Sequence, residues 1–194
     1  MITTIDIETT MTFGSNTVSS PFFGNQIVFV GIASEIPNMY SEEMEVWLHH
    51  DAIPATKDAA PKIQSVLDKT SCLIGHNLKF DLQWLRACGF KYDGPLFDTM
   101  ISEYLLARGN KVGLSLAVCC ERRGLSEKRT DLTSDYIKNK VSYESMPPHI
   151  VNQYCMNDVR ITKQLADMQI AEFDMSWDNY EPSSVYGDTH AKCA

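Results

Sequence analysis

Asp158 interrupts an otherwise apolar helical stripe. Ile150, Tyr154, Asp158, Ile161 and Leu165 follow at steps of four, four, three and four, which keeps all five side chains on one helix face. A carboxylate buried alone there would cost on the order of several kcal/mol unless a positive charge neutralised it. No Lys or Arg shares that face, so a divalent cation is the natural counter-charge, and other carboxylates become candidate co-ligands. Asp6 and Glu8 stand two apart in Ile2-Thr3-Thr4-Ile5-Asp6-Ile7-Glu8-Thr9-Thr10, a β-branched run that predicts a strand. The period of two puts both on one side of the sheet, where each raises the other's pKa, and that argues for a cation between them. A polar, solvent-facing strand edge is the alternative. Asp81 falls in the first turn of a helix whose inner stripe is Leu78, Leu82 and Leu85, just after the strand-like Ser71-Cys72-Leu73-Ile74-Gly75. Taken alone, it reads first as a partner for the helix dipole.

Three segments together resemble a known family. Asp6-Ile7-Glu8-Thr9, then Gly75-His76-Asn77-Leu78-Lys79-Phe80-Asp81, then Tyr154-x-x-x-Asp158 are similar to the three motifs of the DnaQ-like, or DEDD, 3′-to-5′ exonucleases. The tyrosine four residues before the last aspartate matches the DEDDy subgroup; His149 does not match the histidine-type spacing. Phe97-Asp98-Thr99-Met100, Glu103-Tyr104-Leu105-Leu106 and Gly113-Leu114-Ser115-Leu116-Ala117-Val118 resemble segments of the proofreading domain of bacterial DNA polymerase I. The likeness runs over most of the chain, from Asp6 through the helix that carries Asp158.

Phosphodiester hydrolysis needs an activated water and charge stabilisation on the attacking and leaving oxygens, which two divalent ions about 3.5–4 Å apart supply. Mg²⁺ or Mn²⁺ takes oxygen ligands, keeps several waters and needs only a few carboxylates. The resemblance implies two such ions: one held by Asp6, Glu8 and Asp158, a second bridged by Asp6 and held through solvent by Asp81. It implies further that Tyr154 hydrogen-bonds the attacking water. With a free phenol pKa near about 10, Tyr154 orients rather than deprotonates. Asn77 and Thr9 are carried over as contacts to the terminal nucleotide, with turn and cap roles as their alternatives. Asp98 reads as the N-cap of a helix beginning at Thr99, or as a group behind the ligands. Phe13, Phe22 and Phe23, in a Gly- and Ser-rich stretch, suit either stacking on a frayed base or hairpin packing.

The elements that must position these groups follow from periodicity. Strands are predicted near 1–8, 26–34, 44–48, 71–75 and 95–98, with helices near 58–69, 78–88, 99–107, 113–123 and 146–173. This order predicts an α/β fold, a mixed sheet flanked by helices on both faces. The resemblance implies the ribonuclease H-like version of it. Residues 1–174 are expected to form the exonuclease domain and 175–194, rich in Asp, Ser, Pro and Tyr, a loose tail. Residues 122–145 interleave Arg122, Arg123, Lys128, Arg129, Lys138 and Lys140 with Leu132, Tyr136, Ile137 and Tyr143. They predict either a flap that touches the trimmed strand or a solvated helical connector.

At 194 residues the chain suits one sizeable domain and is short for an exonuclease joined to a polymerase. Its net charge of -8 disfavours generic nucleic-acid affinity and fits metal-dependent, end-focused binding. The expected partner is a single-stranded DNA 3′ end, with RNA as the alternative. A separate DNA polymerase or replication protein is a candidate protein partner. The six cysteines form no Cys-x-x-Cys pair and no zinc spacing, and read as reduced core residues of a cytoplasmic protein. No apolar run is long enough for a membrane span. A non-catalytic 3′-end-binding module, which would be expected to lack part of the carboxylate set, is the other function class.

Overall fold

The computed structural model describes residues 1–36, 40–55 and 57–181. In chain order the strands are β1 (Ile2–Thr9), β2 (Thr12–Phe13), β3 (Thr17–Val18), β4 (Ile27–Ile36), β5 (Tyr40–Trp47), β6 (Cys72–Gly75) and β7 (Leu96–Asp98). The helices are α1 (Ala59–Leu67), α2 (Leu78–Ala87), α3 (Thr99–Leu106), α4 (Leu116–Arg122), α5 (Ser134–Lys138) and α6 (Pro148–Glu172). The main sheet has the order β5-β4-β1-β6-β7, antiparallel from β5 to β1 and parallel from β1 to β7. This is the mixed, helix-flanked sheet of the ribonuclease H-like class.

Period-two alternation along β1 feeds two cores. Ile5 and Ile7 join Val30, Ile32 and Leu73 beneath α1 and α2, where Ile63, Leu67, Leu78, Trp84 and Leu85 close the layer. On the opposite face Ile2, Cys72, Ile74 and Phe97 meet Ala166 and Ile170 of α6, and Val28 and Phe29 meet Val151, Tyr154 and Cys155. Each fully buried aliphatic side chain here contributes about 1.5–3 kcal/mol. The helix α6 lies across β4, β1 and β6, spanning the antiparallel and parallel halves of the sheet.

Two regions differ from expectation. Residues 122–145 are not a purely solvated connector. They form a turn at Thr130–Leu132, the short α5 and a turn at Tyr143–Ser145, with Leu132, Tyr136, Ile137, Val141 and Tyr143 packed on the β4 and α6 core. Most of their basic residues are matched by acids. Arg122 and Arg123 pair with Glu103, Lys128 with Asp158, Arg129 with Asp131 and Lys138 with Asp135. Nor does the chain come loose at 175. Trp177 and Tyr180 set their rings edge-on to Phe97 at 5.1 and 5.3 Å, and the Tyr180 hydroxyl donates to the Leu96 carbonyl. The rest of the expected tail, 182–194 with Cys193, lies outside the described residues. Of the other cysteines Cys72, Cys119, Cys120 and Cys155 are buried and Cys88 is exposed, so Cys88 is not a core residue.

Candidate active site

The strand β1 runs past the end of its parallel neighbour. It pairs with β6 only through Ile2–Thr4, so Asp6, Ile7 and Glu8 project at the carboxyl end of the parallel strands, where open α/β sheets place their ligands. The pleat that sends Ile5 and Ile7 toward α1 and α2 sends Asp6 and Glu8 toward α6. Opposite Asp6 on β4 stands Gly31. A Cβ there would lie 2.8 Å from Cys155 Sγ and 3.1 Å from both Met156 Sδ and Val159 Cγ2, so its absence lets α6 approach. The Cys155 thiol donates to the Asp6 carbonyl at 3.5 Å. Carboxylate oxygens of Asp6 and Glu8 and the Cys155 sulfur all fall within 4.8 Å of one another.

Asp81 is buried within reach of the Asp6 charge and is not a surface dipole partner. It is 4% exposed, and the backbone N–H groups of Ile7 and of Asp81 itself hydrogen-bond to its carboxylate. The Ile7 N–H is free for this because β6 has already ended. Asp98 takes the N-cap role. Its carboxylate caps α3 by accepting from Met100 N–H at 2.9 Å, and accepts from Asn77 and Leu78 N–H at 3.0 and 2.9 Å. One side chain thereby fixes the start of α3 and the turn that launches α2. In that turn Asn77 adopts φ 63°, ψ 48°, a left-handed conformation Asn tolerates. Its side chain is exposed and does not cap the helix. Thr9, by contrast, is buried with its hydroxyl bonded to Ser19, so that hydroxyl serves the hairpin.

Tyr154 and Asp158 come from α6 and are 8% and 2% exposed. A cation does meet Asp158, from outside its helix. Lys128, on the connector after α4, forms an ion pair with Asp158 Oδ2, and its Nζ stands 5.0 Å above the Tyr154 ring. Tyr143 stacks on Tyr154 at 6.1 Å and hydrogen-bonds both Glu8 and Tyr154. The sequence assigns no site role to Lys128 or Tyr143, because the connector has no period to show where its side chains point, and it marks Cys155 only as core. Gly31 leaves one signal, a glycine in a strand interior, which marks close approach of another backbone or helix.

The electrostatics are those of an acidic cluster short of positive charge. Burial pushes Asp158 up to about 7, with the Asp6 charge adding to it and Lys128 opposing. Burial and the charges of Asp6 and Asp158 hold Glu8 well above the ordinary carboxylate range, and burial and Asp6 do the same for Asp81. Asp6 is raised by burial against the pull of Lys128. Asp158 Oδ1 is buried and finds no hydrogen-bond partner among the described residues. Four converging carboxylates of raised pKa, one with an orphaned oxygen, fit hard divalent cations. A single lysine cannot satisfy all four.

Comparison with known proteins gives the family and the fold. Residues 37–169 match the 3′-5′ exonuclease family, a span that includes Asp81, Tyr154 and Asp158; Asp6 and Glu8 precede it. The chain is 29% identical over 104 residues to DNA polymerase I of Borreliella burgdorferi, a match covering 54% of this chain and 11% of the polymerase. In fold it is similar to Brucella melitensis NrnC bound to pGG, with TM-score 0.56 at 20% identity over 88% of this chain and 74% of NrnC. It is also similar to exonuclease X in complex with 5′ overhanging duplex DNA, with TM-score 0.53 at 16% identity over 92% and 96% of the two chains.

Proposed function

This chain belongs to the 3′-5′ exonuclease family, and from that premise we propose that it removes nucleotides one at a time from the 3′ end of single-stranded or frayed DNA by two-metal hydrolysis. The observation that carries the reading is the convergence of Asp6, Glu8, Asp81 and Asp158 with Tyr154 at the carboxyl end of the parallel strands. Asp6, Glu8 and Asp158 would hold one Mg²⁺ or Mn²⁺ and Asp6 with Asp81 a second, which when bound supply an acidified water and stabilise charge on the phosphate oxygens. Burial and the charge of Glu8 keep the Tyr154 hydroxyl protonated far above neutral pH, so it orients the attacking water by hydrogen bonding and takes no proton from it. Tyr143, bonded to Glu8 and Tyr154, fixes both. Together with the spacing of Tyr154 and Asp158, this supports assignment to the DEDDy subgroup.

Substrate contacts are assigned to the exposed side chain of Asn77 and to the backbone at Thr9. Phe22 and Phe23 are 71% and 76% exposed on a turn fixed by Ser20 and Gly24, and would stack on unpaired bases. Phe13, half-buried in β2, takes the hairpin role instead. The preference for DNA rests on the likeness to a DNA polymerase. That likeness also makes a separate polymerase a candidate partner, and the free cysteines of the described residues suit a cytoplasmic setting. No helix among the described residues is long and apolar enough to cross a membrane.

The test is a time course on 5′-labelled single-stranded DNA and matched RNA with Mg²⁺, Mn²⁺ or EDTA, beside Asp6→Ala/Glu8→Ala. A ladder shortening from the 3′ end, dependent on metal and lost in the double variant, is expected, with DNA cut faster. Faster cutting of RNA would replace the DNA reading with an exoribonuclease. No cleavage of either would leave a binding module.

A further inference from the structure

We propose that Lys128 is a built-in counter-cation for the carboxylate cluster, so that loading with divalent metal is an exchange that expels its ammonium group and unlatches the connector from α6. The inference rests on the metal-dependent function proposed for the site and concerns how that site is filled. Lys128 Nζ pairs with Asp158 Oδ2, and its charge acts on Asp6, Glu8 and Tyr154 as well. Its side chain is only 21% exposed. A lysine drawn that far out of water needs strong negative charge to hold it, and the cluster supplies that charge.

The segment that carries Lys128 is built to move in its middle and not at its ends. Leu125 packs on the α4 and α6 cluster at one end, and Leu132 packs on the β4 and α6 core at the other. Between them, two polar contacts tie the segment to α6. They are the Lys128–Asp158 ion pair and a hydrogen bond from Asn157 Nδ2 to the Glu127 carbonyl at 3.3 Å. Arg129 and Asp131 turn outward and pair with each other in solvent.

A divalent ion taking the free Asp158 Oδ1 would stand within a few ångströms of the Lys128 ammonium on Oδ2, and like charges that close in a partly buried site repel strongly. Metal therefore removes the partner that holds Lys128 inside. Once Lys128 leaves, the Tyr154 ring loses the cation lying over it. In the metal-free protein the same lysine neutralises part of the cluster and screens the tyrosine.

The experiment titrates Mn²⁺ into the wild-type protein, Lys128→Met and Lys128→Arg by calorimetry at about pH 8, where protons compete little for carboxylates of raised pKa. It also follows amide hydrogen exchange of residues 126–130 in EDTA and in Mn²⁺. With its internal competitor removed, Lys128→Met is expected to bind Mn²⁺ about tenfold more tightly or better, while Lys128→Arg stays near wild type. In the wild type, Mn²⁺ should speed exchange across 126–130. In Lys128→Met, exchange should already be fast in EDTA. Equal or weaker metal binding by Lys128→Met overturns the proposal, as does wild-type exchange that Mn²⁺ leaves unchanged or slows. If Lys128→Met does not fold, the wild-type exchange measurement decides alone. A wild type that binds no Mn²⁺ at all overturns the metal-dependent function itself, an outcome distinct from binding without exchange.

Discussion

At the scale of single residues, the site is a store of unfavourable charge. Burial pushes Asp158 up to about 7 from an ordinary 3.8. Below about pH 4 it is protonated whether folded or not and costs nothing. As pH rises from about 4 to about 7 the unfolded chain gives up its proton first, so the folded state loses stability through that window and levels off above it. Glu8 and Asp81, raised by burial, act in the same direction. Glu43, lowered by its bond to Arg160, and His76, lowered by burial, act the opposite way, each adding stability as pH rises toward its ordinary value, but they are two groups against the buried carboxylates. The melting temperature in EDTA should therefore fall from about pH 4 to about pH 7, and saturating Mn²⁺ should remove most of the loss; a metal-free profile that rises through the window would contradict this. Tyr154→Phe should lower kcat by about 100-fold with little change in melting temperature, since only the hydroxyl is lost. Asp6, Glu8 and Asp158 were legible in the sequence because charge interrupts an apolar period, whereas Asp81 and Tyr154 became candidates through the family resemblance. Lys128 was not, because it reaches the site from an aperiodic segment and only the folded chain brings it to Asp158.

At the scale of elements, the precision of the site depends on how closely α6 lies on β1 and β4. Gly31→Ala would force its new Cβ against Cys155, Met156 and Val159. A cost of about 1–3 kcal/mol is expected, together with a fall in kcat larger than the unfolded fraction explains, because the same helix face carries Tyr154 and Asp158. Urea melts beside kinetics on the folded protein check both. A second tie is Glu103 on α3, which pairs with Arg122 and Arg123 around α4 and receives the Gln169 amide of α6 at 2.8 Å. Glu103 is nearly buried, and its loss takes one acceptor of Gln169 and one partner of each arginine while Arg123 keeps Glu172, so Glu103→Ala should cost about 1–3 kcal/mol in a urea melt. Elements of four or more residues with a clear period, including β1, β4, β6, α2 and α6, could be read from sequence to within a few residues. The hairpin strands β2 and β3 have two residues each, and α5 has five, too few for any period to show.

At the scale of the whole molecule, the sheet closes with a clasp that composition concealed. Trp177 and Tyr180 sit in a polar stretch, yet they cover Phe97 at the β7 edge, and Trp177 Nε1 donates to Asp167 at 2.6 Å. Trp177→Ala should cost about 1–3 kcal/mol by thermal melt while leaving kcat of the folded protein unchanged, since the clasp is remote from the carboxylates. Hydropathy averaged over the stretch hid two aromatic anchors among acids and serines. The order of the parts along the chain has a further consequence. Asp6 and Glu8 lie on the first strand, whereas Tyr154 and Asp158 lie on the last helix and reach them only by crossing the finished sheet. Tyr154 and Asp158 therefore join Asp6 and Glu8 only once α6 has packed across β4, β1 and β6. On the proposed mechanism, chains clipped before α6 lack both Tyr154 and Asp158 and should leave nucleic acid uncut, which a nuclease assay on a protein truncated before Pro148 would check.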